Sequence, residues 1–256
     1  IFDEDRMKTD LTGRTAFVTG ATSGLGRRFA TVLAEAGAAV AIAGRRLERL
    51  ESLKAEITAK GGKCAAVALD VTDARRIAPA LEEAEKALGP IDILVNNAGM
   101  NSQGAVLAIS DAEFDQVMNT NLRGPFLMAR ETARKMIARG KGGSIINIAS
   151  IGALRVLPGL TAYCMSKAAL AMMTQCLARE WARKNINVNA ICPGYIETEL
   201  NSEWFHSEKG QEQINSFPRR RLAAEQDLDG MLLLLASPAA RAITGALLTV
   251  DDGQSL

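Results

Sequence analysis

Short apolar runs alternate along the chain with longer amphipathic segments. Several of these runs, such as AVAIA and GSIINIA, are apolar almost throughout, which is typical of strands buried on both faces of a sheet. We predict strands at residues 15–19, 39–43, 65–69, 91–95, 143–149, 186–191 and 247–250. This order predicts an α/β fold in which a parallel sheet of about seven strands is covered by helices on both faces.

The longer segments carry helical spacing and helix-boundary signals. We predict helices at residues 26–36, 47–60, 73–88, 110–139, 162–184 and 226–236. Ser110 and Glu113 have the spacing of a capping box at the start of the fourth helix. With no long polar linker in the sequence, we expect one domain at residues 13–256 after an N-terminal extension at residues 1–12.

Residues 199–221 lack a clear period and contain two aromatic residues, Trp204 and Phe205, and three consecutive arginines. The segment follows a late strand, so it emerges at the carboxyl edge of the sheet, where such folds bind ligands. We therefore predict that it is a substrate lid.

Composition narrows the class of protein. The chain has 30 Lys and Arg against 29 Asp and Glu, and this balance argues against nucleic-acid binding. No apolar run reaches the roughly 18 residues of a membrane span, and the acidic start does not resemble a signal peptide. His206 is the only histidine, and the four cysteines, Cys64, Cys164, Cys176 and Cys192, have no metal-ligand spacing. We therefore expect no bound metal and no disulfide framework. Reduced cysteines are typical of a cytoplasmic protein, which is the location that we expect.

A glycine-rich loop joins the first strand to the first helix. It reads Thr19-Gly20-x-x-x-Gly24-x-Gly26. Glycines allow a tight turn and a close approach to a ligand, and the helix start offers free N–H groups to a pyrophosphate. A strand–helix turn without a ligand is the alternative, but the position in a βαβ unit favours a dinucleotide. The loop residues expected to contact it are Gly20, Thr22, Ser23, Gly24, Leu25 and Gly26.

Arginines stand at the end of the second strand, where many dinucleotide folds place an acid that holds the ribose hydroxyls. Here the sequence is Gly44-Arg45-Arg46. An acid would repel a 2′-phosphate, whereas Arg45 would pair with it, so we predict NADP(H), with NAD(H) as the alternative. The competing interpretation is that Arg45 and Arg46 are surface residues that begin the next helix.

Tyr163 and Lys167 are four residues apart in a predicted helix, so both side chains lie on one face. A phenol has a pKa of about 10, too high for proton transfer at neutral pH, and a nearby ammonium lowers it. Ser150 ends the preceding strand and could reach the same substrate oxygen. The alternative is that the tyrosine and the lysine are ordinary surface residues.

Asn121 falls on the apolar stripe of the predicted fourth helix, which is otherwise expected to be buried. A buried amide needs hydrogen-bond partners. It could satisfy nearby backbone only, or it could hold a water that passes protons to Lys167.

Together these residues resemble the short-chain dehydrogenase/reductase family in its single-domain branch. The resemblance runs from Gly13 to Gly253 and rests on the following motifs in family order: the glycine loop, Asn96-Asn97-Ala98-Gly99, Asn121, Ser150, Tyr163-x-x-x-Lys167 and Pro193-Gly194. It implies a Rossmann-like doubly wound fold and reversible hydride transfer between a nicotinamide and a carbonyl or alcohol carbon.

The resemblance also implies roles for individual residues. Tyr163 would be the general acid in reduction and the base in oxidation, and Lys167 would lower its pKa and hold the nicotinamide ribose. Ser150 would bind the substrate oxygen, and Asn121 would position a relay water. The further cofactor contacts that it implies are Asp70, Val71, Asn97, Ala98, Gly99, Pro193, Gly194, Ile196 and Thr198, in addition to Tyr163 and Lys167.

Three details qualify the resemblance. Val250-Asp251-Asp252-Gly253 stands where Val-Asp-Gly-Gly is more usual, which bears on terminal packing only. Some NADP-preferring members have a basic residue at the position of Ser23, so here the preference depends on Arg45, with Arg46 as a second candidate. The family is commonly tetrameric through the helices that hold Asn121 and Tyr163, so we expect a homotetramer or homodimer.

The expected substrate pocket is mostly apolar. Beside Ser150, the candidate residues are Met100, Leu154, Leu157, Tyr195, Leu200, Trp204 and Phe205. Such a pocket favours a medium-sized ketone or secondary alcohol, or a 3-oxoacyl thioester, over a highly charged sugar acid. Arg155 and the arginines at 219–221 could meet a carboxylate, a phosphopantetheine or CoA, or could simply be exposed.

Several functions therefore compete. The leading prediction is an NADP(H)-dependent carbonyl reductase or alcohol dehydrogenase, and the nearest alternative is an NAD(H)-dependent alcohol or sugar dehydrogenase. An epimerase or dehydratase would need a larger substrate domain than the 63 residues after Pro193 provide. A cofactor-sensing binding protein on the same fold is a further alternative, but such a protein would be expected to lack part of the catalytic set.

Overall fold

The computed structural model of the chain describes residues 9–101, 104, 106–198 and 201–256. These residues form a single sheet of parallel strands in the order β3-β2-β1-β4-β5-β6-β7. The strands are β1 (Thr15–Thr19), β2 (Ala39–Gly44), β3 (Cys64–Ala68), β4 (Ile93–Asn96), β5 (Gly143–Ile148), β6 (Ile186–Pro193) and β7 (Leu247–Val250). The predicted doubly wound α/β fold is thus confirmed.

Helices cover both faces of the sheet. They are α1 (Gly24–Glu35), α2 (Leu47–Ala59), α3 (Ala74–Leu88), α4 (Asp111–Met118), α5 (Gly124–Ala138), α6 (Thr161–Trp181), α7 (Ser202–His206), α8 (Glu208–Ser216) and α9 (Asp229–Ala236). No helix in the described ranges has both the length and the apolarity needed to cross a bilayer.

The hydrophobic core has two main parts, one on each side of the sheet. Ala16 and Val18 of β1 pack with residues of α1, α2 and α9, whereas Phe17 between them packs with residues of α3, α5 and α6. Successive strand residues point to opposite faces, so a strand buried on both faces must be apolar throughout. This explains why the strands could be recognised as continuous apolar runs.

The sheet order reverses beside β1. The chain runs from β1 outward through β2 and β3, and then returns to the other side of β1 with β4. Loops at the carboxyl ends of β1 and β4 therefore diverge, which opens a crevice at this topological switch point. The glycine loop follows β1, and residues 97–99 follow β4, so both flank the crevice.

The predicted helix at 110–139 is interrupted. The capping box is present, since Ser110 Oγ accepts from Glu113 N and Glu113 Oε2 accepts from Ser110 N. Between α4 and α5, however, Asn119–Arg123 form a π-helical turn. Apolar spacing could not reveal this turn, because one added residue hardly disturbs a helical pattern. Turns of this kind are frequent at functional sites, and this one contains Asn121.

The predicted lid contains structure that its irregular pattern did not predict. Helices α7 and α8 are separated by Ser207, whose hydroxyl accepts from Gly210 N at 3.1 Å and caps α8. Both helices are short, which explains the lack of a helical period in the sequence. Residues 199 and 200, including the candidate pocket residue Leu200, and residues 1–8 of the predicted extension lie outside the described residues.

Candidate active site

A cavity of about 590 Å³ occupies the crevice at the carboxyl edge of the sheet. It extends from the glycine loop, past the ends of β4 and β5, to the segment after β6. All of the residues predicted to bind the cofactor lie on its wall, namely Gly20, Thr22, Ser23, Gly24, Leu25, Gly26, Arg45, Arg46, Asp70, Val71, Asn97, Ala98, Gly99, Tyr163, Lys167, Pro193, Gly194, Ile196 and Thr198.

The glycine loop is close-packed against the loop after β4. Gly20 adopts φ +68°, and a Cβ there would come 2.8 Å from Ala98 Cα. At Gly26 a Cβ would collide with the carbonyl oxygen of Gly20. Asn97 Nδ2 donates to the carbonyl oxygens of Thr19 and Gly20 at 3.0 and 3.2 Å. The loop is therefore fixed before any ligand binds, with its backbone at the cavity surface.

The first turn of α1 has no side-chain cap. Ser23 is the N-cap residue, but its hydroxyl instead accepts from Arg46 Nη2 at 2.8 Å. The first amides of a helix need an external acceptor, and the helix dipole favours an anion there. The donors present therefore fit a dinucleotide pyrophosphate, as the glycine spacing predicts.

The two arginines after β2 occupy different positions. Arg46 donates to Thr22 Oγ1 at 2.7 Å as well as to Ser23, so it is bound to the glycine loop. Arg45 is exposed at the cavity edge, and no hydrogen bond or ion pair with described residues occupies its guanidinium. Of the two, Arg45 therefore has the greater freedom to meet a 2′-phosphate.

Tyr163, Ser150 and Lys167 lie together on the opposite part of the cavity wall. Helix α6 carries Tyr163 and Lys167 one turn apart, and Lys167 Nζ lies 5.6 Å from the centre of the Tyr163 ring. Ser150 follows β5, and its side chain is close enough to Tyr163 to influence the pKa of that phenol. A serine hydroxyl and a phenol thus face one point in the cleft, which suits binding of an alcohol or carbonyl oxygen.

Burial changes the proton affinities of both Tyr163 and Lys167. Burial raises the pKa of Tyr163 above its ordinary value, and the nearby side chain of Ser150 only partly counteracts this. Burial also lowers the pKa of Lys167 to about 8. That Lys167 lowers the pKa of Tyr163 stays a prediction, because the burial of the phenol is the largest effect on its pKa in the structure. Both groups are desolvated in the same cleft, and Lys167 Nζ donates to the carbonyl oxygen of Ile148 at 2.8 Å.

Asn121 is buried behind the cavity rather than on its wall. Its Oδ1 accepts from Met100 N and its Nδ2 donates to Met100 O, both at 2.8 Å, and Nδ2 also donates to Ser166 Oγ at 3.0 Å. Asn121 is therefore hydrogen-bonded to nearby backbone, which is the first of the two interpretations that the sequence left open. It still lies near Lys167, because a Cβ built on Gly99 would be 3.4 Å from Asn121 Oδ1 and 3.6 Å from Lys167 Nζ.

We predict that Lys167→Met makes the ligand-free protein more stable at pH 7. Below pH 8 the lysine is protonated in both the folded and the unfolded chain, so the whole cost of burying its charge opposes folding. As pH rises from about 8 towards the ordinary 10.5, the folded chain releases its proton first and this cost disappears. We expect a gain of about 1–3 kcal/mol at pH 7 that shrinks above pH 8, measured by urea unfolding. A less stable variant at pH 7 would contradict the assigned burial cost.

The predicted substrate residues divide into two groups. Ser150, Met100, Leu157 and Tyr195 line the cavity. Three others lie off its wall: Leu154 is 50% exposed, Trp204 is 44% exposed with its Nε1 donating to Gln213 Oε1, and Phe205 is buried against the Tyr195 ring. None of these three is part of the cavity wall formed by the described residues, so their contact with a substrate stays a prediction. The apolar side chains of Leu154 and Trp204 point outward, and Phe205 supports the wall from behind.

The cavity wall also contains residues that the sequence interpretation missed: Asn101, Gln116, Thr120, Ile151, Leu160 and Asn201. Asn201 Oδ1 accepts from Thr198 N at 2.7 Å and Nδ2 donates to Ile196 O at 2.9 Å, so it shapes the segment after β6. An asparagine at the start of a helix is a turn signal, and its position inside the candidate lid was the available clue. Gln116 and Thr120 are four residues apart in α4 and the π-helical turn, a spacing that places them on one face.

No group of three or more His, Cys, Asp or Glu residues in the described ranges could hold a metal ion.

Comparison with known proteins agrees with this site. The family model described as short chain dehydrogenase matches residues 14–209. The chain therefore belongs to the short-chain dehydrogenase family, and it is an NAD(P)-dependent oxidoreductase that acts on alcohol and carbonyl groups.

Particular relatives span nearly the whole chain. A 2-dehydro-3-deoxy-D-gluconate 5-dehydrogenase of Dickeya dadantii is 38% identical over 95% of this chain and 96% of its own. An NAD-dependent glycerol dehydrogenase of Listeria innocua is 38% identical over 100% and 98%. The crystal structure of a gluconate 5-dehydrogenase from Burkholderia cenocepacia, in complex with NADP and tartrate, has a TM-score of 0.93 at 35% identity, covering 98% of each chain.

Proposed function

We propose that this protein transfers hydride between NADP(H) and a secondary alcohol or ketone, with Tyr163 as the proton-transfer residue. The observation that carries the proposal is the placement of Tyr163, Ser150 and Lys167 on one wall of a cavity whose far end is the glycine loop. The glycine loop would hold the pyrophosphate of the dinucleotide, and the wall with Tyr163 would face its nicotinamide. Retention of all of these groups favours an enzyme over a cofactor-sensing protein.

The chain's residues have separate tasks in this proposal. Bound NADP⁺ accepts a hydride, and bound NADPH donates one. In oxidation, Tyr163 Oη takes the proton of the alcohol hydroxyl; in reduction, it gives that proton to the carbonyl oxygen. Ser150 donates a hydrogen bond to the same oxygen. Lys167 holds the ribose and supplies positive charge beside the phenol, while Asn121 fixes Met100 at the cavity wall.

The preference for NADP(H) rests on charge at the adenosine end. Arg45 lies at the cavity edge and Arg46 is bound to the loop. No acid follows β2 to accept from the ribose hydroxyls, as NAD-binding folds usually require. A phosphate on the 2′-oxygen would instead meet a cation. The relatives include both an NADP-bound structure and an NAD-dependent enzyme, so NAD(H) is the alternative.

Two substrate classes are proposed. The first is a medium-sized ketone or secondary alcohol, because Met100, Leu157 and Leu160 give the cavity an apolar wall. The second is a polyhydroxy acid, which the gluconate-related relatives favour. Arg155 favours it too, since its positive charge is close to Tyr195: burial raises the pKa of that phenol, and the charge of Arg155 counteracts part of the rise.

A substrate panel tests these proposals. Purified protein would be assayed with medium-chain ketones and secondary alcohols, a 3-oxoacyl thioester, glycerol and gluconate, each with NADP(H) and NAD(H), by absorbance of the reduced nicotinamide. We expect turnover with at least one ketone or alcohol and a higher kcat/KM with NADP(H). Binding of NADPH without turnover of any compound would favour the cofactor-sensing alternative.

We further propose that the protein is a homo-oligomer that assembles through α5 and α6. Phe126 of α5 and Met165 and Met172 of α6 are 40%, 49% and 60% exposed, and large apolar side chains left exposed on these two helices are candidates for a contact surface. We predict that Met172→Glu lowers the mass measured by light scattering to that of a smaller assembly. Leu47→Glu is the matched control, because Leu47 is 49% exposed on α2. An unchanged mass in the Met172 variant would contradict this interface.

A further inference from the structure

The last residues of the chain fold back onto the substrate end of the cavity. Gln254 is only 5% exposed. Its Oε1 accepts from Tyr195 N at 2.5 Å, and its Nε2 donates to Tyr195 O at 3.3 Å. One side-chain amide thus binds both backbone polar groups of a residue that lines the cavity. Residues 251–256 are called the C-terminal tail below.

The amide of Gln254 occupies a place made for it. A Cβ at Gly194 would collide with Gln254 Oε1, so a glycine is needed beside Tyr195 for the amide to fit. Arg155 Nη1 donates to the backbone carbonyl of Gln254 at 2.7 Å, and Gln254 Nε2 also lies 3.4 Å from the carbonyl of Arg221. Gln254 therefore connects three chain segments that meet around Tyr195.

Tyr195 in turn connects the C-terminal tail with the lid helices. Its ring stacks on Phe217 at a centroid distance of 5.4 Å and meets Phe205 edge-on at 5.8 Å. Its hydroxyl is close enough to Gln213 of α8 for that side chain to influence the pKa of the phenol. A shift of the Tyr195 backbone would therefore move both the cavity wall and the helices packed behind it.

Asp252 provides a second attachment. It adopts φ +55°, a conformation that suits glycine better than aspartate. Its carboxylate accepts a hydrogen bond from Arg221 Nε at 2.7 Å and forms an ion pair with Arg219, whose Nε lies 3.1 Å away. Glycine would satisfy the backbone but could not bind the arginines. The aspartate therefore fastens the segment that carries Phe217 to the tail, and this accounts for two of the three consecutive arginines.

We propose that the C-terminal tail is a positioning element for substrate, with Gln254 setting the place of Tyr195 in the cavity wall and Asp252 holding the lid segment against it. This inference rests on the proposed function of the cavity. Neither residue touches the reacting atoms, so both act through Tyr195. The tail is then a determinant of substrate fit, whereas the glycine loop determines most of the cofactor affinity.

Gln254→Ala tests the first attachment. We expect KM for the substrate identified in the panel to rise roughly fivefold to tenfold, because Tyr195 loses two backbone hydrogen bonds that hold it in place. We expect kcat and the Kd for NADPH, measured by NADPH fluorescence, to stay within about twofold, since Tyr163 and the glycine loop are untouched. Ser255→Ala is the matched control in the same tail, because its side chain makes no hydrogen bond within the described structure. An unchanged KM in the Gln254 variant would overturn the proposal.

Asp252→Gly separates positioning from simple stabilisation. Glycine relieves the left-handed backbone while the two ion pairs are lost, so we expect the Tm to stay within about 2 °C. KM should nevertheless rise, by roughly threefold, because the lid segment is released from the tail. A purely structural role would instead lower the Tm and leave KM unchanged, and that result would overturn the role of Asp252.

Hydrogen exchange tests the coupling between Gln254 and Tyr195 without a measurement of turnover. In Gln254→Ala, peptides that contain Tyr195 and Ile196 should exchange faster than in the wild-type protein and in Ser255→Ala, whereas peptides of the glycine loop should not change. Equal exchange at Tyr195 would overturn the proposed coupling even if the enzyme is active. Faster exchange in a protein that turns over no compound would refute the proposed function and leave the coupling established.

Discussion

Replacing Tyr163 with phenylalanine is expected to lower kcat about 10³-fold, which is within the usual range for loss of a general acid or base. The variant loses only the phenol oxygen, which we propose exchanges a proton with the substrate. The ring, its distance of 5.6 Å from Lys167 Nζ and the packing of α6 are retained, so the cavity keeps its shape. Steady-state kinetics with the best substrate of the panel would measure the loss, and NADPH fluorescence should show a Kd within about twofold of wild type.

Tyr195→Phe is the matched control, because Tyr195 is the other tyrosine of the chain and also lines the cavity. Its hydroxyl is near Gln213, whereas that of Tyr163 is near Ser150. We expect that variant to lose no more than about tenfold in kcat/KM, the effect of one hydrogen bond. Comparable losses in both variants would mean that the cavity needs phenols for its shape and not for proton transfer.

The pH dependence follows from the same phenol. Burial raises the pKa of Tyr163, so the neutral form that donates a proton in reduction predominates through the physiological range. In the proposed mechanism oxidation needs the phenolate, so we expect it to become faster as pH rises. The cation at Lys167 is itself close to its pKa of about 8. Desolvation of two neighbours in one cleft is a tertiary effect, so the four-residue spacing could indicate their proximity but not the direction of the shift for Tyr163.

Most of the sheet could be predicted because a strand that is buried on both faces must be apolar along its whole length. The segments 15–19 and 247–250 are predicted with the bounds that the structure has. Strand β4 starts at Ile93 rather than 91. Apolar residues can continue past the point where a strand's hydrogen bonds to its neighbours end. Hydrophobicity therefore marks burial better than it marks strand pairing.

The sequence predicted the positions of site residues on strand ends and helices better than those of residues in the predicted lid. The glycine loop, Ser150 and the α6 pair follow directly from strand ends and helical spacing, and all of them lie on the cavity wall. Trp204 and Phe205 are adjacent in α7, so they point in different directions, one outward and one into the core. Bulk and apolarity alone cannot tell a pocket side chain from one that packs behind the pocket. The role of Gln254 depends on contacts more than 50 residues away in sequence, which no local pattern reveals.

The charge at the end of β2 leads to the second large effect, because the two arginines there are not equivalent. Arg46 donates to Thr22 and Ser23 and so contributes to the shape of the glycine loop. Arg45 stands at the cavity edge without a hydrogen bond or ion pair to described residues. A substitution of Arg45 should therefore change cofactor choice and leave the loop intact, whereas a substitution of Arg46 would mix both effects.

Arg45→Asp is expected to lower kcat/KM for NADP(H) about 10- to 100-fold, which is the contribution of a charge-assisted hydrogen bond to phosphate. The value for NAD(H), which has no 2′-phosphate, should not fall. The new carboxylate repels a 2′-phosphate but can accept from the free ribose hydroxyls of NAD(H), so the ratio of the two kcat/KM values should shift towards NAD(H). Arg183→Asp makes the same charge change in the turn Ala182–Lys184, before the amino end of β6 and so at the opposite edge of the sheet. If both variants lower the NADP(H) value equally, the effect is one of net charge. If neither variant lowers the NADP(H) value, Arg45 does not bind the 2′-phosphate, and NAD(H) becomes the favoured cofactor.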